Sequence, residues 1–392
     1  MPISVDRLMR WTFVAALSIT AAAPSVLAEP AARNAAAAAW ASDGRPLPRP
    51  EFLQPQLDQR LPLYRPCSEQ PLQGVLEGSA PTILPQLVQS WIAAFQQLHP
   101  AVRVNLPPPY SAPQGSLSPT LRQFLDGGSH FALVSRDMTR ADVVAYERAH
   151  RAVPRPIPVV GGAWRHFGFV DAIAVVVNEA NPLRTLTLAQ LDSVFSASRL
   201  RGYIQVRTWG DLGVHAWADK PVRVVGAAAW RGAEASARAL VVHRNVLSVG
   251  QASGVWRDDI AAEGSEADVP DQVAADPYAI GFTGMGHLVA GIKTVALARE
   301  SGGPAVDATY EDVALARYPL SRVAYLVPSR AADQPLDPVL REFVRFILSR
   351  EGQRIVLDQG VMLPLRESQA AAARRLIDDS GQPDGCSPLG RH

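Results

Sequence analysis

The side chains of this chain that could do chemistry are few and badly spaced for catalysis. His130, His166, His215, His243 and His287 are scattered, with no His-x-x-x-His or carboxylate–histidine spacing of a metal site. A Gly-x-Ser-x-Gly elbow is missing, so a serine hydrolase lacks its commonest local cue. Gly161-Gly162 and the glycines of GFTGMG have the wrong spacing for a dinucleotide loop, and turns or strand crossings suffice for them. Asp258, Asp259, Glu263, Glu266 and Asp268 could attract a cation but read as a solvated loop face. No enzyme, metal site or cofactor is expected. The two cysteines, Cys67 and Cys386, lie near the ends of the expected folded core. They form either a disulfide that pins the tail DDSGQPDGCSPLGRH to the start of the core, or two free buried thiols.

The elements around these residues are those of an exported α/β protein. Arg7 and Arg10 precede the apolar run WTFVAALSITAAA, and Val26-Leu27-Ala28 stands before Glu29. Basic head, short apolar middle and small residues at the cut site predict a signal peptide, residues 1–28, cleaved after Ala28. The apolar run is shorter than the roughly 20 residues a membrane helix needs. A net charge of +1 gives no electrostatic case for nucleic acid or anionic lipid as partner. Residues 29–66, rich in alanine and then proline, have the composition of a flexible arm.

Beyond the arm, strand-like and helix-like patterns alternate. Gln73–Glu77 reads as a strand and Gly78-Ser79-Ala80-Pro81-Thr82 as a turn. Leu87, Val88, Trp91, Ile92, Phe95 and Leu98 then repeat at helical spacing. Val102 and Val104 alternate as a strand, Pro119–Leu125 reads as a helix ended by Gly127-Gly128, and Phe131–Val134 as a short strand. AIAVVVN predicts a strand buried on both faces, stopped by Asn181-Pro182. Thr187 and Gln190 form a capping box, with Leu186 placed to staple onto Leu191. Trp209 to Gly213 is a glycine-flanked aromatic turn. Further strands are expected at Val222–Val225, Ala279–Phe282, Ile292–Leu297 and Val323–Val327, and a helix at Glu234–His243. A last helix opens with Asp337 as N-cap and Pro338 at its first position, its stripe being Leu340, Phe343, Phe346 and Ile347.

The segments GSAPTILPQLV, FALVSRDM, the run from Asp171 to Ala218, DPYAIGFTGMG, RYPLSRVAYLVPSR and PLDPVLREFVRFILSREGQ follow in a telling order and spacing. In this the chain, from about Leu72 to Leu365, resembles the periplasmic phosphate-binding proteins, receptors of phosphate ABC importers. The resemblance implies an α/β, two-lobed periplasmic-binding-protein fold of type II, each lobe a central sheet flanked by helices, with the ligand cleft between lobes. Lobe I would be residues 67–170 plus 321–366, lobe II residues 171–320, and residues 367–392 a C-terminal tail.

In such receptors a dry phosphate is held by hydroxyls and backbone N–H groups at helix N-termini, where unpaired donors and the positive dipole end favour an anion. Residue by residue, the resemblance implies Ser79, Thr82 and Ile83 in the first loop, Thr82 serving as hydroxyl donor, plain N-cap or both. It implies Ser116 in the second loop and Ser135 at the end of a strand. Many members place an aspartate directly after this serine; here it is Arg136, which would add positive charge. After VRVV the family offers an arginine and a Ser-Gly-Thr turn, but this chain reads Gly226-Ala227-Ala228-Ala229-Trp230-Arg231-Gly232-Ala233. Only Gly232 keeps its type, and Arg231 is left to face the oxyanion. Each charge-assisted hydrogen bond lost there costs about 1.5–3 kcal/mol. Two readings therefore stand: a monomeric periplasmic receptor for phosphate or a related small oxyanion, serving an ABC importer's membrane subunits, or a degenerate receptor fold with another ligand or an envelope interaction role. Trp230 is then a wall of the site or a packed core aromatic.

Overall fold

The computed structural model describes residues 56–67, 71–81, 84–108, 119–165, 170–226, 254–260, 267–331 and 334–378. The elements below are those of the described residues. In chain order they begin β1 (Gly74–Ser79), α1 (Pro85–Leu98), β2 (Val102–Asn105), α2 (Pro119–Gly127), β3 (Phe131–Val134), α3 (Arg140–His150) and β4 (Ile157–Gly161). The middle of the chain forms β5 (Ile173–Asn178), β6 (Thr185–Thr187), α4 (Leu188–Phe195), β7 (Arg223–Val225), α5 (Val269–Ala275), β8 (Ala279–Gly284), β9 (Ile292–Thr294), β10 (Ala296–Ala298), β11 (Ala305–Val306) and α6 (Tyr310–Ala314). The chain finishes with β12 (Val323–Pro328), α7 (Pro338–Ile347), α8 (Arg350–Gln359) and α9 (Glu367–Asp378).

Two main sheets result. The first has the order β2-β1-β3-β12-β4, in which β2, β1 and β3 are parallel and β12 runs antiparallel to both β3 and β4. The alternation of Val102 and Val104 with exposed neighbours fits an edge strand, while FALV of β3 is buried throughout because both faces are covered. α1 buries Leu87, Val88, Trp91 and Phe95 of the predicted face, while Ile92 is half-buried and Leu98, at the helix end, is exposed; the Trp91 indole donates to the Gly352 carbonyl at 2.8 Å. Asp337 caps α7 as expected, its carboxylate accepting from the Val339 and Leu340 N–H groups at 2.9 and 3.0 Å.

The second sheet, β7-β8-β5-β9, takes all its strands from the middle of the chain. Every residue of β5 and of β8 is buried, as the unbroken apolar run requires. Thr187 and Gln190 close the predicted capping box at the start of α4, and Leu186 and Leu191 are buried in the same core. Trp209–Leu212 is a short 3-10 helix ended by Gly213 at φ +83°, the left-handed conformation that glycine permits. Among the described residues no helix is long and apolar enough to cross a membrane.

Four expectations are corrected. Gly78 and Ser79 do not turn; they extend β1, opposite Phe131 and Ala132. Gly78 is glycine because a Cβ there would stand 2.3 Å from the Phe131 ring. The expected strand Ile292–Leu297 breaks at the buried Val295, with β9 in the second sheet and β10 pairing β6 in a small third sheet. Residues 56–66, expected within a flexible arm, form a strap on the first core. Leu57 and Leu61 are buried there, and the Arg350 N–H donates to the Pro62 carbonyl at 2.8 Å. Two leucines four apart anchor a segment whose prolines make it look disordered. Finally, Glu367–Asp378 is helix α9, not tail, burying Ala370, Ala373 and Ile377 in that same core. Its small buried face hides in an alanine-rich sequence, although alanine is the best helix former. The helix expected at Glu234–His243 lies outside the described residues.

Two stretches connect the main sheets, one from Gly161 to Ile173 and one from Leu320 to Val323. They bond to each other: the Gly162 N–H donates to the Arg322 carbonyl at 2.8 Å and the Ile173 N–H to the Leu320 carbonyl at 3.1 Å. The approach is so close that a Cβ on Gly162 would lie 2.1 Å from the Val170 carbonyl oxygen.

Candidate anion-binding site

The carboxyl ends of parallel strands are where open α/β sheets present ligand-binding loops. β1 and β3 are adjacent and parallel, and each ends at a serine named by the sequence. Ser79 is the last residue of β1, fully buried, its hydroxyl 3.4 Å from that of Ser129. Ser135 follows β3 directly and is half-buried. The structure thus brings Ser79 and Ser135 to one end of one sheet. Thr82, Ile83, Ser116, Arg231 and Gly232 lie outside the described residues.

Arg136 is described, and its charge is engaged. Its guanidinium meets Asp142 at 2.5 and 3.3 Å and donates to the Asp137 carbonyl at 2.8 Å. Asp142, itself almost fully buried, also accepts from the N–H of Thr139, the N-cap of α3, at 2.8 Å. Arg136 is therefore built into the start of α3, a helix that the sequence reading did not anticipate although Thr139 and Asp142 carry its capping pattern.

Other groups gather beside Ser135. The Tyr325 hydroxyl, on β12, donates to the Asp137 carboxylate at 2.9 Å. Burial pushes the Asp137 carboxyl upward, against the opposing pull of Tyr325 and the Arg322 charge. The Tyr325 phenol is raised well above its usual range, first by burial and then by Asp137. Arg322, 8% exposed, places one guanidinium nitrogen 3.4 Å from the Ser135 carbonyl and another 3.5 Å from the Asp171 carbonyl, both long for hydrogen bonds. The Asp171 carboxylate accepts from the Gly286 N–H at 2.7 Å, and Gly284 has no room for a Cβ, which would lie 2.5 Å from that carboxylate. Arg165 donates to the Met285 carbonyl at 3.2 Å, and burial lowers its guanidinium's pKa.

Sequence reasoning quoted Asp137, Arg322 and Tyr325 inside its segments without giving them a role. The signal that would have joined them is the antiparallel register that sets Tyr325 opposite Val134, and no local pattern encodes it. Two of the other side chains singled out in the sequence have ordinary structural partners. The His130 ring accepts from the Glu77 N–H at 3.0 Å, and Asp259 pairs with Arg257 at 2.5 Å. Cys67 is disulfide-bonded. Cys386 lies outside the described residues.

Two sheets with separate cores, joined by paired crossings, with candidate ligand hydroxyls at strand ends beside those crossings, are the architecture of a two-lobed solute-binding protein of the type II periplasmic class. Comparison with known proteins places the chain more narrowly. It belongs to the family described as the PBP superfamily domain, whose model matches residues 67–351. Over 318 residues, 80% of this chain and 90% of the relative, it is 30% identical to the phosphate-binding protein PstS of Pseudomonas aeruginosa strain PAO1. The PstS of strain UCBPP-PA14 matches with the same figures. A solved ABC-type phosphate transport receptor from Vibrio cholerae covers 74% of this chain and all of its own, at 20% identity and a TM-score of 0.47, too low to carry weight.

Proposed function

We propose that this protein captures phosphate, or a closely related small oxyanion, by closing its two lobes on it, and releases it unchanged to the membrane subunits of an ABC importer. The observation that carries this reading is the 30% identity to PstS along 90% of that protein's length. Ser79 and Ser135 at the strand ends of the first sheet support it, with Thr82, Ile83, Ser116, Arg231 and Gly232 as the remaining candidate contacts. Lobe I would consist of residues 67–170 and 321–366 together with the strap at 56–66 and helix α9, and lobe II of residues 171–320. Export to the periplasm with cleavage after Ala28, and a Cys67–Cys386 disulfide, belong to the same proposal.

The test is calorimetric titration of the mature protein with phosphate, after partial unfolding and dialysis to strip carried ligand. Binding at micromolar or lower concentration is the expected result, and no heat up to millimolar phosphate would sink the reading. The second reading, a receptor fold turned to another ligand, is favoured by one observation: the Ala227–Ala233 loop lacks the Ser-Gly-Thr turn. It predicts that same silent titration.

A further inference from the structure

We propose that the strap on the first core continues through residues 50–55, Pro-Glu-Phe-Leu-Gln-Pro, which dock in a cavity beside α1, α7 and α8. Phe52 and Leu53 are its apolar filling, and Glu51 is its charged contact. The inference stands apart from the oxyanion reading. The cavity has a volume of about 410 Å³. Leu57, Leu98, Phe346 and Ile355 give it an apolar wall, and Arg350 and Arg354, one turn apart on α8, bring charge to it. Leu98 closes α1 yet is 51% exposed, so this wall presents apolar surface to water.

Connectivity, charge and chain stiffness together name the occupant. The described strap begins at Gln56, and Leu57 is itself part of the wall, so the preceding chain starts at the cavity. Leu53 and Phe52 lie four and five residues before Leu57, a reach of roughly 13–18 Å, and need not unseat it. So short a tether holds the segment at an effective concentration in the millimolar range, which a separate partner has to exceed. The charge also fits. Arg350 donates to the Leu61 carbonyl at 3.1 Å and to the Gln59 carbonyl, and among the described residues neither it nor Arg354 has a carboxylate partner. Glu351, which accepts from the Tyr64 N–H at 2.7 Å, is the one acid among the described lining residues, so the lining is net positive. Glu51 is the acid nearest to Leu57 on its N-terminal side. Pro50 and Pro55 bound the segment, and their fixed φ values reduce the entropy lost when it docks.

The test uses residues 29–392 with the photoreactive p-benzoyl-phenylalanine in place of Leu98, an exposed position that tolerates it. Illumination should join position 98 to residues 50–55 of the same chain, read by mass spectrometry of the digest. Phe52→Ser with Leu53→Ser should abolish this crosslink. In the chain without the probe, the same pair should lower the melting temperature by about 2–6 °C, and it leaves every described contact in place. Leu98→Glu should give a similar shift, and combining it with the serine pair should fall well short of the sum, because both remove one contact. Glu51→Arg should reduce the crosslink yield, and Arg354→Glu beside it should restore it. A crosslink to a second copy would reassign the cavity to self-association and overturn the inference. Absence of any crosslink overturns it too, as does a serine-pair chain that melts within about 1 °C of wild type.

Discussion

Replacing Gly162 by alanine tests whether the two crossings pack as closely as described. The added Cβ would lie 2.1 Å from the Val170 carbonyl oxygen and 3.1 Å from that of Arg322. Both are backbone atoms, so neither can rotate away as the tip of a side chain would. Ordinary contact at ~3.5 Å requires the Val170 backbone to retreat by more than an ångström. Val170 already holds a φ of +58°, a strained value for a β-branched residue, so it has little slack to give. Overpacking of this kind costs about 1–3 kcal/mol, and stretching the 2.8 Å bond from Gly162 to Arg322 adds about 1 kcal/mol. At ~2–4 °C per kcal/mol for a chain of this size class, the melting temperature should fall by about 4–16 °C. Thermal unfolding followed by circular dichroism, with a urea titration beside it, measures this directly. A Gly162→Ala protein melting within about 1 °C of wild type would refute the packing of the crossings, and with it the placement of Arg322.

Other predictions concern the first lobe. Asp337→Ala removes the carboxylate that caps α7 and should cost about 1–2 kcal/mol in urea unfolding with an unchanged m-value. Tyr64→Phe removes a hydroxyl that donates to Glu342 at 2.8 Å and lies 2.6 Å from the His99 ring. With Glu342 and His99 both nearly buried, the loss should be about 1–3 kcal/mol, and a neutral result would mean water already serves them. Arg60 beside Asp58, together with backbone N–H donors, holds that carboxyl well below the usual carboxylate range. Because its folded pKa is depressed, the stability it contributes is complete above the unfolded value of about 3.9 and fades as pH falls below it. Asp58→Asn should therefore lower stability at pH 7 and flatten its loss between about pH 4 and 2; an unchanged acid limb would remove Asp58 from the strap's anchoring.

How much of this was legible beforehand depended on whether the signal was local. The caps at Thr187 and Asp337, the buried run of β5 and the face of α1 each lie within a few residues, where periodicity and capping chemistry act. The sheet switch at Val295 was not legible, because an apolar run looks the same whether it pairs with one sheet or two. The strap and α9 were misjudged through composition: proline and alanine suggest looseness, yet Leu57, Leu61, Ala370 and Ile377 supply long-range contacts. At the site, the hydroxyls at strand ends came from resemblance, and the Arg136–Asp142 pair went unseen because helix α3 was not anticipated. Arg322 could be found only after β12 was laid against β3.

The strand order has a consequence for the timing of folding. The second sheet draws all its strands from Ile173 to Thr294, so its pairings close within one continuous stretch. The first sheet waits for β12, and its core for α7, α8 and α9, while the strap at its other end caps α9 through Asp58, which accepts the Glu367 N–H at 3.1 Å. Pairings that span the whole chain form late, since loop closure must precede them. An emerging chain can thus complete the inserted lobe first, and the lobe that begins the sequence is the last to be sealed. Pulse hydrogen exchange during refolding should show β5 and β8 protected before β1 and β3.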